Sequence, residues 1–260
     1  MPMKIGRSEL AKRAARAGGT ALLSVVPDAG IIAKEGRGNF VTAGDLASEK
    51  AIMDLIRKYF PNDQILSEET ASDITNLLEV PKLWVIDPID GTNNFRHDRN
   101  YSAVSVGYVE KGVSKIGAVY DPFRDELFFA ETGKGATVNE KPLQVSDLDD
   151  LTKGTVTADN SYDPNGTKSN MELFLKISPS PWLLIKGSAV LGICDVAARR
   201  TDLYFQTCLK PWDNAAAMLI AEESGATLSN LKGEKPNFLS PDMIIGNKQI
   251  VNQFLDFIRR

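Results

Sequence analysis

The chain has 260 residues, 43% of them apolar and 25% charged, and carries a formal net charge of −4. These values describe an ordinary globular protein that can bury a core without staples, and they give no argument for nucleic-acid binding, whose proteins usually show a basic face. Its two cysteines, Cys194 and Cys208, do not make a disulfide scaffold, and both are expected to be buried free thiols.

In chain order, residues 1–16 are basic and lack the apolar stretch of a secretory signal. No apolar run approaches the roughly 20 residues that cross a bilayer, so a soluble cytoplasmic protein with no membrane partner is expected, and the Asn165-Gly166-Thr167 sequon carries no weight. Residues 8–26 read as a helix with Ser8 as its N-cap, weakened in the middle by Gly18-Gly19. Residues 45–60 read as a second helix, because Ile52, Ile56 and Tyr59 recur at i, i+4 and i+7. Pro61 ends it. Short strands are expected at 64–66 and 83–86. Strands at 103–109, 114–120 and 126–130, joined by Glu110-Lys111-Gly112 and residues 122–125, form an antiparallel meander.

Beyond about residue 150 strands and helices alternate. Strands are expected at 155–157, 182–185, 203–205 and 243–245, and helices at 170–176, 188–199, 212–224 and 249–258. That alternation argues a largely parallel sheet covered by helices. The expected organisation is an α+β half over residues 1–148 and an α/β half over 149–260. The seam falls at 146–153, which lacks the composition of a flexible linker.

Several catalytic devices are missing. A single histidine, His97, excludes His-based zinc sites and argues against a Ser-His-Asp triad, and it reads as a structural hydrogen-bonder. No phosphate-binding Gly-Lys-Ser/Thr loop and no Gly-x-Ser-x-Gly elbow is present. Gly36-Arg37-Gly38 lacks the third glycine of a dinucleotide fingerprint and reads as a loop.

What remains is a set of carboxylates in awkward places. The apolar run Trp84-Val85-Ile86 leads directly into Asp87-Pro88-Ile89-Asp90-Gly91-Thr92-Asn93-Asn94-Phe95. An acid at the end of a buried strand must be paired or bound to a cation. Asp87 and Asp90 can converge on one point across Pro88, and oxygen-only ligation suits Mg²⁺. Gly91 permits close backbone approach, and Gly91-Thr92 opens a helical turn whose N–H groups favour an anion. Taken singly, each acid also has a structural reading. Asp90 can be an N-cap, Asp87 a salt-bridge partner, Glu68-Glu69 an exposed acidic loop, and Asp213 a first-turn helix acid.

Together these strings resemble the inositol monophosphatase family. The run from Trp84 to Phe95 is similar to its first signature, and Leu209-Lys210-Pro211-Trp212-Asp213-Asn214-Ala215-Ala216-Ala217 to its second. Ser67-Glu68-Glu69-Thr70, Val41-Thr42-Ala43-Gly44-Asp45, residues 133–146 and Gly187-Ser188-Ala189 fit in order, so the resemblance spans nearly the whole chain. It implies a five-layer αβαβα sugar-phosphatase fold with a site between the halves. It implies a first Mg²⁺ on Glu68, Asp87 and the Ile89 carbonyl, a second on Asp87, Asp90 and Asp213, and a weaker third held by Glu68 through waters. Asp45 and Thr92, with Glu68, would carry catalysis by a water nucleophile. Gly91, Thr92, Gly187, Ser188, Ala189 and Gln206 would hold a small phosphorylated substrate. Lithium sensitivity and a homodimer are further implications.

The chain departs from the family pattern at two positions. Gln206 stands where inositol-specific members carry an acid, and Asn39 where many carry Asp. Inositol 1-phosphate is the leading substrate. Fructose 1,6-bisphosphate, with Lys186 or Lys210 meeting its second phosphate, and a 3′-phosphonucleotide are alternatives. A catalytically silent binding or scaffold module is the non-enzyme reading.

Overall fold

The computed structural model describes residues 5–25, 31–33, 40–70, 74–177 and 182–259. Residue Asn39 and the loop at 36–38 lie outside them. Helix α1 (Arg7–Leu23) is capped by Gly6 in extended conformation, and Leu10 N–H already bonds to the Gly6 carbonyl at 2.9 Å. Ser8, expected as the cap, therefore lies in the first turn, where its hydroxyl donates to Glu131. After the short antiparallel pair β1 (Ile32–Ala33) and β2 (Phe40–Val41) comes α2 (Ala43–Tyr59). It starts before Asp45 because Thr42 is the cap. The Thr42 hydroxyl and the Asp45 carboxylate close a reciprocal capping box.

A seven-stranded sheet follows, built from β3 (Gln64–Ser67), β4 (Leu83–Asp90), β5 (Ala103–Glu110), β6 (Val113–Asp121), β7 (Glu126–Glu131), β8 (Ala136–Val138) and β9 (Lys141–Pro142), adjacent in that order. Only the β3–β4 pairing is parallel. The five-residue helix α3 (Thr92–Arg96) sits between β4 and β5.

The second sheet has the order β11-β10-β12-β14-β13. Its elements run β10 (Thr155–Ala158), α4 (Pro164–Ile177), β11 (Trp182–Ile185), α5 (Ala189–Ala197), β12 (Leu203–Gln206), α6 (Pro211–Asn214), α7 (Ala217–Glu223), β13 (Thr227–Ser229), β14 (Met243–Gly246) and α8 (Lys248–Arg259). The expectation of a largely parallel sheet is corrected here. The β10–β11 and β10–β12 pairings are parallel, whereas β12–β14 and β13–β14 are antiparallel. The cause is β13, a three-residue strand too short to announce itself, which returns through residues 230–242 to pair with β14. The helix expected at 212–224 is likewise two helices, broken at Ala215-Ala216.

Five layers result. Helices α1 and α2 cover the outer face of the first sheet through Leu10, Ile52, Trp84, Val106 and Tyr108. Helices α5 and α7 fill the space between the sheets, with Val85, Phe128, Ile193, Ile220 and Tyr204 in one core. Helices α4 and α8 cover the outer face of the second sheet, where Phe205 packs between Phe174 and Phe254 at centroid distances of 5.0 and 4.8 Å. Each fully buried side chain of this size contributes about 1.5–3 kcal/mol. The middle layer lies directly on the first sheet because β5 and β6 present glycines to it. A Cβ at Gly107 would stand 2.8 Å from the Ala215 Cβ, and one at Gly117 would stand 2.5 Å from the Ala216 carbonyl oxygen. Those two glycines set the depth at which α6, and therefore Asp213, meets the sheet.

Candidate active site

Asp87 and Asp90 are three residues apart, and in a regular strand they would point to opposite faces. A bulge prevents this. Asp87 pairs with Ser105 and Asp90 with Ala103, so β4 carries one residue more than β5 between the two acids. The extra residue turns both carboxylates to the same side. Asp213 arrives from α6, and ligand oxygens of Asp87, Asp90 and Asp213 all lie within 4.8 Å of one another.

Asp90 does not cap its own helix. Gly91, at φ +88°, is the cap residue of α3. A side chain there would also crowd the carbonyls of Gly187 and Tyr101 at 3.0 and 3.1 Å. Asp90 instead reaches across to the start of α5. It accepts the Ser188 hydroxyl, the Val190 N–H at 2.9 Å and the Ala189 N–H at 3.3 Å at the start of α5. The N-cap reading of Asp90 is thus corrected: Gly91 caps α3 and Ser188 caps α5, and Asp90 accepts N–H groups of the first turn of α5 from outside that helix. Asp87 accepts the Ile89 N–H at 3.0 Å, and Asp213 accepts the Lys210 N–H at 2.7 Å. Among the described residues no Lys or Arg forms a salt bridge with any of the three, so the salt-bridge reading of Asp87 finds no partner there.

Parallel pairing of β3 with β4 brings Glu68 to the same end of the sheet, its N–H on the Ile86 carbonyl at 3.2 Å. Glu68 stands outside the tight trio, but after burial its charge is the largest influence raising the Asp87 pKa. Asp45 is fully buried, its Oδ2 accepting the Thr42 N–H and hydroxyl at 2.7 and 2.6 Å. The Thr92 hydroxyl faces both Asp45 Oδ1 at 3.2 Å and the Ile89 carbonyl at 2.9 Å.

The electrostatics of this cluster set its chemistry. Burial pushes Asp87 and Asp213 well above the usual carboxylate range, reinforced by the neighbouring acids. Burial also pushes Asp90 up to about 7, although its bonds from Ser188 and Val190 pull the other way. Two unit charges under 4.8 Å apart repel by about 3 kcal/mol at an effective dielectric of about 20. Three such pairs cost roughly 10 kcal/mol, the scale of a whole domain's stability. The trio therefore holds protons or a cation. An all-oxygen donor set with no salt-bridge partner among the described residues, Lys210 offsetting only part of the shift at Asp213, fits a hard divalent cation.

The other sequence-predicted residues fall at the rim. Gly187 (φ +84°), Ser188 and Ala189 lead into α5. Gln206 is buried at the end of β12 and accepts the hydroxyl of Tyr204. His97 merely closes α3 and is exposed. Lys186 is already engaged. Its Nζ lies 2.8 Å from Asp195 Oδ2 and over the Tyr101 ring, so it is spent on the protein rather than on a second phosphate. Cys194 is buried and Cys208 half-buried, both as free thiols.

Sequence reasoning missed the partners behind the cluster. Ser188, which the resemblance puts at the substrate, also donates its hydroxyl to Asp90. Asn94, Asp159 and Asp195 were given no role. Only Asn94 had a signal, as a polar residue embedded in the first signature.

Comparison with known proteins gives three kinds of similarity. The model of the inositol monophosphatase family matches residues 7–256. An inositol-1-monophosphatase of Synechocystis is 36% identical over 224 residues, 85% of this chain and 77% of that one. The Nus factor SuhB of Escherichia coli K12 is 35% identical over 257 residues, 96% of this chain and 94% of that one. Among solved structures, SaIMPase-II with inositol monophosphate bound matches at a TM-score of 0.81 and 28% identity, covering 95% of this chain and 91% of that one. The same protein has been solved with 2′AMP bound.

Proposed function

The chain belongs to the inositol monophosphatase family and is a phosphoric monoester hydrolase, and we propose that it hydrolyses inositol 1-phosphate with the aid of Mg²⁺. The observation that carries this reading is the convergence of Asp87, Asp90 and Asp213 within 4.8 Å, without a cationic partner among the described residues, beside the Thr92–Asp45 pair. Glu68, Asp87 and the Ile89 carbonyl would hold one ion and Asp87, Asp90 and Asp213 a second, with Glu68 reaching a third through water. Bound divalent cations supply charge to the phosphate oxygens and lower the pKa of a water.

The chain's own groups do the rest. N–H groups of Gly91 and Thr92 at the head of α3 cradle phosphate oxygens. Thr92 Oγ1 accepts a hydrogen bond from the attacking water and relays its proton toward Asp45 Oδ1, which burial and the Thr42 bonds hold in place. A bond forms from the water oxygen to phosphorus as the bond to the sugar oxygen breaks. The leaving alkoxide takes a proton from solvent. Gly187, Ser188, Ala189 and Gln206 line the leaving-group side.

Relatives support the substrate class, because SaIMPase-II has been solved with inositol monophosphate bound. The engagement of Lys186 with Asp195 removes one of the two lysines available for a second phosphate and leaves Lys210. A homodimer belongs to the same proposal. Trp182 and Ile185, on the edge strand β11, are 71% and 51% exposed, and Leu175 of α4 is 74% exposed, an apolar surface that a second copy can cover. Inhibition by Li⁺ and a cytoplasmic location complete it. No helix among the described residues is long and apolar enough to cross a membrane. The test is a substrate panel in Mg²⁺: inositol 1-phosphate, fructose 1,6-bisphosphate, a 3′-phosphonucleotide and 2′AMP. A higher specificity constant for inositol 1-phosphate than for the other three is expected. Preference for any of them overturns the substrate assignment.

A further inference from the structure

Every polar group of the Lys186-Gly187 turn is held. The N–H groups of Lys186 and Gly187 both bond to Asp159 Oδ1, at 2.9 and 2.5 Å. The carbonyls of the same two residues accept from one nitrogen, Asn94 Nδ2, at 2.8 and 3.1 Å. That nitrogen also faces the Tyr101 carbonyl at 2.8 Å. The Lys186 side chain ends on Asp195. Asn94 belongs to α3 in the first half, two residues from Thr92, and is only 4% exposed. Gly187 lies against it so closely that a Cβ would stand 2.9 Å from Nδ2.

The next residue after this turn is Ser188, whose hydroxyl bonds to Asp90, and the N–H groups of Ala189 and Val190 follow it onto the same carboxylate. One continuous segment, 186–190, is thus gripped by Asn94 at one end and grips Asp90 at the other. An amide with two hydrogens facing three carbonyls from both sides of the seam has no use in helix α3 itself, which bonds through its own backbone. We propose that Asn94 is a positioning residue for metal binding: it fixes the 186–187 turn so that Ser188 and the start of α5 hold Asp90 in ligating orientation. Outer partners of this kind orient ligating carboxylates, and removing one typically costs 10–100-fold in metal affinity or activity. The inference rests on the reading of Asp87, Asp90 and Asp213 as metal ligands.

The experiment is a double-mutant cycle on Mg²⁺ affinity, read by calorimetric titration of the full chain without substrate. Wild type, Asn94→Ala, Ser188→Ala and the double variant are compared, each checked for a cooperative thermal melt. Asn94→Ala is expected to weaken Mg²⁺ binding about tenfold. The double variant is expected to be no weaker than the poorer single variant, because both changes break one chain of contacts. In turnover assays kcat at saturating substrate should fall at fixed Mg²⁺ and recover at higher Mg²⁺, whereas KM stays within about twofold. Should Asn94→Ala not fold, Asn94→Ser, which keeps one donor, is read the same way, with a smaller loss. Wild-type affinity in the Asn94 variant, or losses that multiply in the double variant, overturns the proposal. Absence of Mg²⁺ binding in the wild type overturns the underlying metal assignment instead.

Discussion

The Thr92 hydroxyl lies 3.2 Å from Asp45 Oδ1 although the residues are 47 positions apart and belong to different helices. The contact joins the head of α3, beside the metal-type acids, to a carboxylate locked by its own capping box. Burial leaves Asp45 1% exposed, so its bond to Thr92 is shielded from competing water. Thr92→Val keeps the shape and removes the hydroxyl. The variant is expected to lose about 10²–10⁴-fold in kcat, the range for general acid–base groups, while melting within a few degrees of wild type. Undiminished kcat in steady-state assays contradicts the role given to the pair.

Asp87→Asn and Asp90→Asn should each nearly abolish turnover and leave the fold standing. Removing one member of the trio relieves about 3 kcal/mol per ionised pair, so at about pH 8, where Asp90 has lost its proton, the metal-free variants should melt at or above the wild-type temperature. Thermal melts in excess chelator check this. A variant that unfolds would show that the acid serves the fold through the hydrogen bonds it accepts.

The metal-free protein should lose stability as pH rises. Asp90 is held at about 7 in the fold, above the ordinary 3.8. Between those values the folded state keeps a proton that the unfolded state has released, so the stability gained from the raised pKa is full below about pH 4 and gone above about pH 7. Asp87 and Asp213 are shifted the same way. Melting temperatures in chelator should therefore fall between pH 5 and pH 8, and Asp90→Asn should flatten the slope. Mg²⁺ should restore the wild type most at the alkaline end, where it replaces protons that have left. A wild-type slope unchanged in Asp90→Asn excludes Asp90 as its source.

Gln206 tests specificity. Its oxygen accepts the Tyr204 hydroxyl near Asp90, Asp159 and Asp213, and Gln rather than Glu avoids placing a further charge there. Gln206→Glu should raise the specificity constant for inositol 1-phosphate up to about tenfold, since a charge-assisted bond exceeds a neutral one by about 1 kcal/mol or more. The same change should lower turnover of fructose 1,6-bisphosphate by repulsion. Equal effects on both substrates would place Gln206 away from the leaving group.

Much of this site was legible because the carboxylates stood where chemistry forbids them without a ligand. Asp87 after Trp84-Val85-Ile86 stood out in the local sequence, where a structural role was an equal reading, and the family resemblance joined it to Glu68, Asp90 and Asp213; the buried strand is there. The convergence of Asp87 with Asp90 depended on a bulge against β5, which Pro88 hinted at but could not specify. The depth of Asp213 depended on Gly107 and Gly117, isolated glycines in strands whose significance appears only when α6 lies against them. Partners that cross the seam left no local trace. Ser188 and Asp90 are 98 residues apart, and nothing near either position announces the other. The missed β13 is a matter of length, since three residues carry too little pattern to separate strand from loop.

The central claim is that the carboxylate trio hydrolyses a phosphate monoester through bound Mg²⁺. Phosphate release from inositol 1-phosphate, followed while Mg²⁺ is removed by chelation and then restored, tests it most directly. Release is expected to stop in excess EDTA and to return when Mg²⁺ exceeds the chelator. Full release in EDTA, or none with Mg²⁺ restored, would contradict it.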